Sequence, residues 1–381
     1  MLEVKLANYF EISPDCIHLF WKGRVGLYSV LSSMEIKSGD EVIIPAFTCV
    51  VVANAIIYCG ARPVYVDVNP TTLQYDRISL EQAVTDKTKL IIVQNTFGIP
   101  PDYVTVENIC KQKGISCIED CTHGMGTLYN NKKIPPAFVK ASFYSFQWNK
   151  PLSAGLGGLV LCNDTVLNVK LQDHQKALVA PSLMDTLSLS ILLKIRPLLD
   201  APFLYSGLLG LFRLLSAKGL VLGSSNSEEL MGVTMPDGYF KGMSGVQRRS
   251  INRSIAKLDQ LIALRKMNYL EFDKIFKDLD LFKLDLDEIN HSALKFPIFV
   301  KDKVKFKQAA ERKGIKLGDW MNSPIHPVET GFEKWYYTLG QCKHAEFLSG
   351  HILNLQTDLN EKETKRTISF IKENRSLFLS R

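Results

Sequence analysis

Ile118-Glu119-Asp120-Cys121-Thr122-His123-Gly124 and Ser145-Phe146-Gln147-Trp148-Asn149-Lys150, closed by Gly155-Leu156-Gly157-Gly158, form the stretch whose reading decides the fold. The run Ile115-Ser116-Cys117-Ile118 follows Lys113-Gly114 and is mostly apolar, the pattern of a short strand buried in a parallel sheet. Asp120 then falls at the strand's carboxyl end, where open α/β sheets place ligands. Ala141–Phe146 is a second apolar run, predicted to deliver Ser145 and Lys150 to the same rim. The expectation is one acid and one amine meeting at the edge of one sheet.

Taken singly these residues say little. A lone lysine is ordinarily a solvated surface charge, and an aspartate after a strand is ordinarily a helix cap or a loop residue. Their order, with a glycine-rich turn behind the lysine, is far more specific. It fits what pyridoxal 5'-phosphate requires of a protein. A lysine must form a Schiff base with the aldehyde, and a carboxylate must keep the pyridine nitrogen protonated. Backbone and hydroxyl donors must hold the phosphate.

In this order the residues resemble the DegT/DnrJ/EryC1/StrS family of sugar aminotransferases, enzymes of fold type I. The family pattern Glu-Asp-Ala-Ala-Gln/His, then Ser-Phe-His-x-x-Lys, stands here as Glu119-Asp120-Cys121-Thr122-His123 and Ser145-Phe146-Gln147-Trp148-Asn149-Lys150. The likeness extends through residues 39–48 and 60–68 and is strongest over 20–165. It implies an α/β fold in which a large domain, residues 1–245, binds the cofactor on a mainly parallel sheet flanked by helices. That domain would carry a helical insertion at about 175–235. A linking helix and a smaller C-terminal α+β domain would occupy 246–381.

The resemblance also implies roles. Lys150 would be the Schiff-base lysine and Asp120 the partner of the pyridine nitrogen, these two being catalytic. Ser145 would bind the phosphate and His123 would lie near the ring hydroxyl. Phe97, after a predicted strand end, would stack on the ring, although the residue alone reads equally well as core. Lys22-Gly23-Arg24 opens a predicted helix reaching about Ile36, where the family has Ser-Gly-Thr. A helix start offers free N–H groups to phosphate, so Gly23 and Arg24 are expected there, the arginine replacing a hydroxyl. Asp237–Ser244 resembles the segment that reaches across a dimer to the neighbour's phosphate. Lys241 is the candidate in it, in place of the family's Asn. Gln147 replaces a family His, and Gln356-Thr357-Asp358 replaces Pro-Thr-His. The implied substrates are a nucleotide-linked keto-sugar and an amino-acid donor, by analogy glutamate. The implied assembly is a homodimer.

Composition sets wider limits. A chain of 381 residues with 46% hydrophobic content can bury a large core, and a net charge of +7 is modest. No arginine-rich block or aromatic-basic interleaving points to nucleic acid. The slight basic excess suits an anionic nucleotide-sugar, and equally suits ordinary surface charge. None of the eight cysteines forms a Cys-x-x-Cys pair and several lie in apolar runs. They read as free thiols of a cytoplasmic protein, without disulfide framework or metal site. Met1–Lys5 does not begin a signal peptide.

Other predicted strands are 40–44, 63–66, 90–93 and 159–162, alternating with helices at 49–58, 79–84 and 104–114. Residues 1–20 read as an irregular lead-in, and Val246–Phe272 as one long helix. Strands at 293–300 and 352–355 and helices at 303–313 and 361–373 follow. The leucine-rich stretch 187–222 carries Lys194, Arg196, Arg213 and Lys218 but is interrupted by Pro197, Asp200 and Pro202, so it does not span a membrane. It reads either as an insertion packing on its own dimer or lid, or as amphipathic helices making peripheral membrane contact. Two other functions stay open. One is a different enzyme on this scaffold. Family dehydratases carry His at the Schiff-base position, and Lys150 argues against them. The other is a non-catalytic cofactor-binding or membrane-docked protein.

Overall fold

A computed structural model describes residues 1–199, 227–286 and 290–380. Seven strands form the main sheet: β1 (Ile17–Phe20), β2 (Glu41–Pro45), β4 (Arg62–Val66), β5 (Thr88–Gln94), β6 (Ser116–Asp120), β7 (Val139–Ser145) and β8 (Gly158–Cys162). Their order is β1-β8-β7-β6-β5-β2-β4. The five strands from β7 to β4 are parallel neighbours, while β8 runs antiparallel to β7 and to β1. In β5, Leu90, Ile91, Ile92 and Val93 are all fully buried, as expected for a strand covered by helices on both faces. Each such side chain contributes about 1.5–3 kcal/mol on burial.

A second, antiparallel sheet has the order β10-β12-β9, built from β9 (Lys295–Phe299), β10 (Leu317–Gly318) and β12 (Ile352–Gln356). A short parallel pairing joins the two halves of the chain, β3 (Thr48–Cys49) with β11 (Ile325–His326). It brings a loop near the second sheet onto the rim of the first.

Two expectations need correction. Residues 1–20 are not irregular. Leu2–Phe10 forms helix α1, which buries Leu2, Leu6, Ala7 and Phe10 on one face, and β1 closes the edge of the main sheet. The stretch is too short to show periodicity clearly, and tertiary packing decides it. The predicted single helix Val246–Phe272 is two, Gly245–Ser254 and Leu258–Asp278, separated by a tighter turn at Ile255–Lys257. Ser254 Oγ donates back to the Ser250 carbonyl at 3.1 Å at the junction, the local bonding that bends helices. The first of these helices opens with reciprocal bonds between Ser244 and Gln247.

Within the leucine-rich stretch, helix α7 (Leu183–Leu199) is described, and residues 200–222 lie outside the described residues. Leu189 packs on Trp21 and Leu156, while Leu183, Met184, Leu187, Ile191 and Ile195 are exposed. No helix among the described residues is long and apolar enough to cross a membrane.

Candidate active site

The carboxyl ends of β5, β6 and β7 lie side by side, with Gln94 opposite Asp120 and Asp120 opposite Phe143. That rim carries Asn95, Asp120 and Ser145. Lys150 stands in the loop between β7 and β8, whose two ends are clamped by the pairing of Ser145 with Gly158.

Asp120 and Lys150 are both buried. Burial raises the pKa of Asp120, against the pull of the Thr122 N–H and hydroxyl and of the Lys150 charge. Burial lowers the pKa of Lys150, against the pull of Asp120. Each charge acts on the other, yet neither a hydrogen bond nor an ion pair joins them. The Asp120 carboxylate is held by the Thr122 N–H at 2.8 Å. A buried acid and a buried amine that act on each other without bonding are the pairing that a ring held between them would need.

Glu119 anchors the strand end from behind. Its buried carboxylate accepts from Asn95 Nδ2 at 2.7 Å, from Ser142 Oγ at 2.9 Å and from the Tyr103 hydroxyl. Three donors satisfy one buried charge, which is what such burial requires.

His123 forms the floor of an aromatic stack. Its ring is parallel to Phe97 at 6.0 Å and to Trp320 at 4.7 Å. The Phe97 N–H donates to His123 Nδ1 at 3.2 Å. Burial pushes the imidazole well below its usual pKa, with Lys150, Lys295 and His326 adding to the effect. A neutral ring that accepts at Nδ1 carries its proton on Nε2 and is a donor there. Phe97 is fully buried, edge-on to Phe47 and stacked on His123. The Lys150 amine lies 4.4 Å from the centroid of Trp320.

Helix α2 (Gly23–Ser33) begins against Ser145. A Cβ on Gly23 would meet the Tyr144 carbonyl oxygen at 2.9 Å and Ser145 Cβ at 3.4 Å, and one on Gly158 would fall 2.6 Å from the Gly23 backbone. Only glycine allows this approach, and the helix start bears no side-chain cap. This is a cradle suited to an anionic oxygen group. Arg24 lies at the expected helix start and has a carboxylate partner there. Its buried guanidinium lies 2.6 Å from the Glu229 carboxylate, and Lys22 lies 3.8 Å from the same group. Glu229 comes from the short helix Ser227–Met231, which nothing in the sequence links to residue 24. Lys241 is engaged within its own chain, its amine 2.7 Å from Asp185 of α7. Its charge and that of Asp185 both bear on Lys22, so it belongs to this same cluster.

The residues present therefore fit pyridoxal phosphate. Asp120 and Lys150 are both buried and near enough for each charge to act on the other, and the Gly23–Ser145 cradle adjoins the loop that carries the amine.

Residues 1–182 match the DegT/DnrJ/EryC1/StrS aminotransferase family. Over those residues, just under half of its length, the chain is similar to that family. Over 145 residues the chain is 34% identical to a GDP-perosamine synthase of Vibrio cholerae, a match covering 38% of this chain and 39% of the relative. Over 203 residues it is 34% identical to a UDP-2-acetamido-2-deoxy-3-oxo-D-glucuronate aminotransferase of Pseudomonas aeruginosa, covering 50% of this chain and 56% of that one. The matches span about two fifths of the length of the first curated relatives. The fold is that of a DegT DnrJ EryC1 StrS aminotransferase from Brucella abortus, with TM-score 0.73, 21% identity and coverage of 98% of this chain and 88% of that one. It is likewise that of the sugar aminotransferase CalS13 from Micromonospora echinospora, with TM-score 0.71, 18% identity and coverage of 98% and 90%. The fold class is thus fold-type I α/β, as the resemblance implied.

Sequence reasoning did not single out Asn95, Ser142 and Tyr103 around Glu119. It also missed Trp320, Lys295 and Glu229. Only Glu119 had a local signal, as the neighbour of Asp120.

Proposed function

We propose that the protein is a pyridoxal-phosphate-dependent aminotransferase that moves an amino group from an amino acid, first of all glutamate, to a nucleotide-linked keto-sugar. The observation that carries this reading is the buried pair Asp120 and Lys150, each charge acting on the other at the rim without a bond between them. The substrate class is supported by relatives that act on GDP- and UDP-linked sugars by name.

When bound, the cofactor supplies an aldehyde carbon for an amine and a ring that accepts an electron pair. The chain's own residues do the rest. Lys150 is held where water is excluded, and its lowered pKa leaves a larger share of the amine neutral and able to take a proton near pH 7. Asp120, its carboxylate fixed by the Thr122 N–H, would hold a proton on the ring nitrogen of the bound cofactor. His123 offers its Nε2–H as a neutral donor. Gly23 and Ser145 would hold the phosphate at the uncapped start of α2. Arg24 and Lys241 act there through the field of their cluster, each being paired with a carboxylate of the chain.

The test is spectroscopic. Protein loaded with pyridoxal phosphate should show a visible band that shifts when glutamate is added, and Lys150→Ala should lose that shift. Retained amino transfer in Lys150→Ala would refute the assignment. The buried amine and acid favour catalysis over a non-catalytic protein on the same scaffold.

We further propose a homodimer, to be checked by sedimentation, and a division of the chain near residue 245. A peripheral membrane contact through 187–222 is a second reading, favoured only by the exposed Leu187, Ile191 and Ile195 of α7. Equal flotation on liposomes with and without that stretch would sink it.

A further inference from the structure

We propose that Lys295, backed by the buried charge of Arg265, forms a carboxylate-binding subsite on the second-sheet wall of the active site, beside Trp320, the ring that Lys150 also approaches. The source of that carboxylate rests on the reading above.

Lys295 opens β9 and is 4% exposed, an unusual place for an ammonium group. Its amine donates to Gln356 Oε1, a neutral acceptor, and lies 5.9 Å from the centroid of Trp320. Lys150 lies 4.4 Å from the centroid of the same ring, so both amines approach one indole. Arg265, from the helix Leu258–Asp278, is 2% exposed. Its Nη2 is 3.1 Å from Asp358 Oδ2, while its Nε and Nη1 are buried with no hydrogen-bond partner.

The charges do not balance. Lys295 and Arg265 are two buried cations, and among the described residues Asp358 is the carboxylate that acts on the Lys295 amine. A buried charge without its counterion is costly, and proteins retain one where an anion arrives from outside. Asp358 is itself committed to Arg265. The surplus charge sits beside the indole that also carries Lys150.

An ammonium point charge backed by a guanidinium and bordered by an amide oxygen suits a carboxylate. An amino acid whose nitrogen approaches Lys150 would direct its carboxylate along the Trp320 face toward Lys295. A sugar acid would present the same group from the acceptor side.

The test uses protein loaded with pyridoxal phosphate and titrates it by calorimetry with glutarate, a dicarboxylate that cannot donate an amino group. Lys295→Met should weaken glutarate binding at least tenfold, and Lys295→Arg should stay within about threefold of the unaltered protein. The cofactor's visible band, unchanged in both variants, establishes that the site is intact. Should Lys295→Met perturb the band, Gln356→Leu, which leaves the amine in place, should weaken glutarate binding several-fold. Glutarate bound equally well by Lys295→Met, or not bound by the unaltered protein, overturns the subsite. Glucuronate titrated in parallel separates the sources: loss confined to glutarate assigns the donor, and loss confined to glucuronate assigns the acceptor. An absent glutamate-induced band shift in the unaltered protein would sink the aminotransferase reading alone, because the glutarate titration needs no turnover.

Discussion

Lys150 and Trp320 meet between the two sheets of the molecule, the amine 4.4 Å from the centroid of the indole, while the same indole stacks on His123 at 4.7 Å. The first residue belongs to the rim of the parallel sheet and the second follows β10 of the antiparallel one. The site is therefore closed by both halves of the chain. Trp320→Ala should slow the glutamate-induced change of the visible band by about tenfold or more, because a desolvated amine over an indole is worth about 2 kcal/mol. Trp320→Phe keeps a ring face and should lose much less. Equal rates in the two variants would contradict this role.

Lys150 is expected to show a trade between function and stability. Its amine is buried, and burial lowers its pKa below the value in the unfolded chain. The unfolded chain thus binds a proton more readily at neutral pH, which disfavours the folded state there. Lys150→Met should abolish the band shift and at the same time raise the melting temperature of cofactor-free protein at pH 7. A lower melting temperature would mean that the amine is not under this penalty.

Gly23→Ala puts a methyl group 2.9 Å from the Tyr144 carbonyl oxygen. Overpacking of this kind costs about 1–3 kcal/mol, readable in urea unfolding. The same substitution pushes α2 away from Ser145. Loss of pyridoxal phosphate on dialysis should therefore be faster than the stability change alone explains.

The Arg24–Glu229 pair, 2.6 Å apart and nearly sealed from solvent, should be costly to break from one side. Arg24→Met or Glu229→Gln should each destabilise by about 3–5 kcal/mol, while Arg24→Met with Glu229→Leu together should recover much of the loss. Additive losses in the double variant would show that the two side chains do not act as a unit.

Lys295 gives a pH dependence of defined sign. Burial brings its pKa down to about 8 from 10.5. For a cation with a depressed folded pKa, stability is lowest below the folded value and rises as pH climbs from about 8 toward 10.5. The gain is on the order of 3 kcal/mol at most. Urea unfolding between pH 7 and pH 10 should show a rise in the unaltered protein that Lys295→Met lacks. Parallel profiles would refute the assignment.

The parallel strands were legible because each is a short apolar run between a helix pattern and a turn, and Asp120 and Lys150 because they flank two of those runs. The helix Glu361–Glu373 was legible to the residue, since Asn360 and Glu363 cap it reciprocally. The partners that the sequence did not show had no local signature. Arg24 sits in the expected cradle, yet the carboxylate that claims it arrives from residue 229, beyond a long insertion. Lys241 resembled a cross-dimer contact but pairs with Asp185 on a helix of its own chain. Trp320 and Lys295 are ordinary in sequence and become part of the site only through the packing of one sheet on the other.

The pairing of Ser145 with Gly158 at the base of the Lys150 loop carries a dynamic consequence. A side chain on a hairpin stitched shut at its own stem is a leash of fixed length. Once released from any partner, the amine can swing only about the span of its four methylenes before returning. Its local concentration at the reacting carbon stays far above anything a free amine in solution could reach. On the proposed aminotransferase reading, the antiparallel turn between β7 and β8, an irregularity in an otherwise parallel sheet, would be the element that keeps the Lys150 amine at its post through both halves of a turnover.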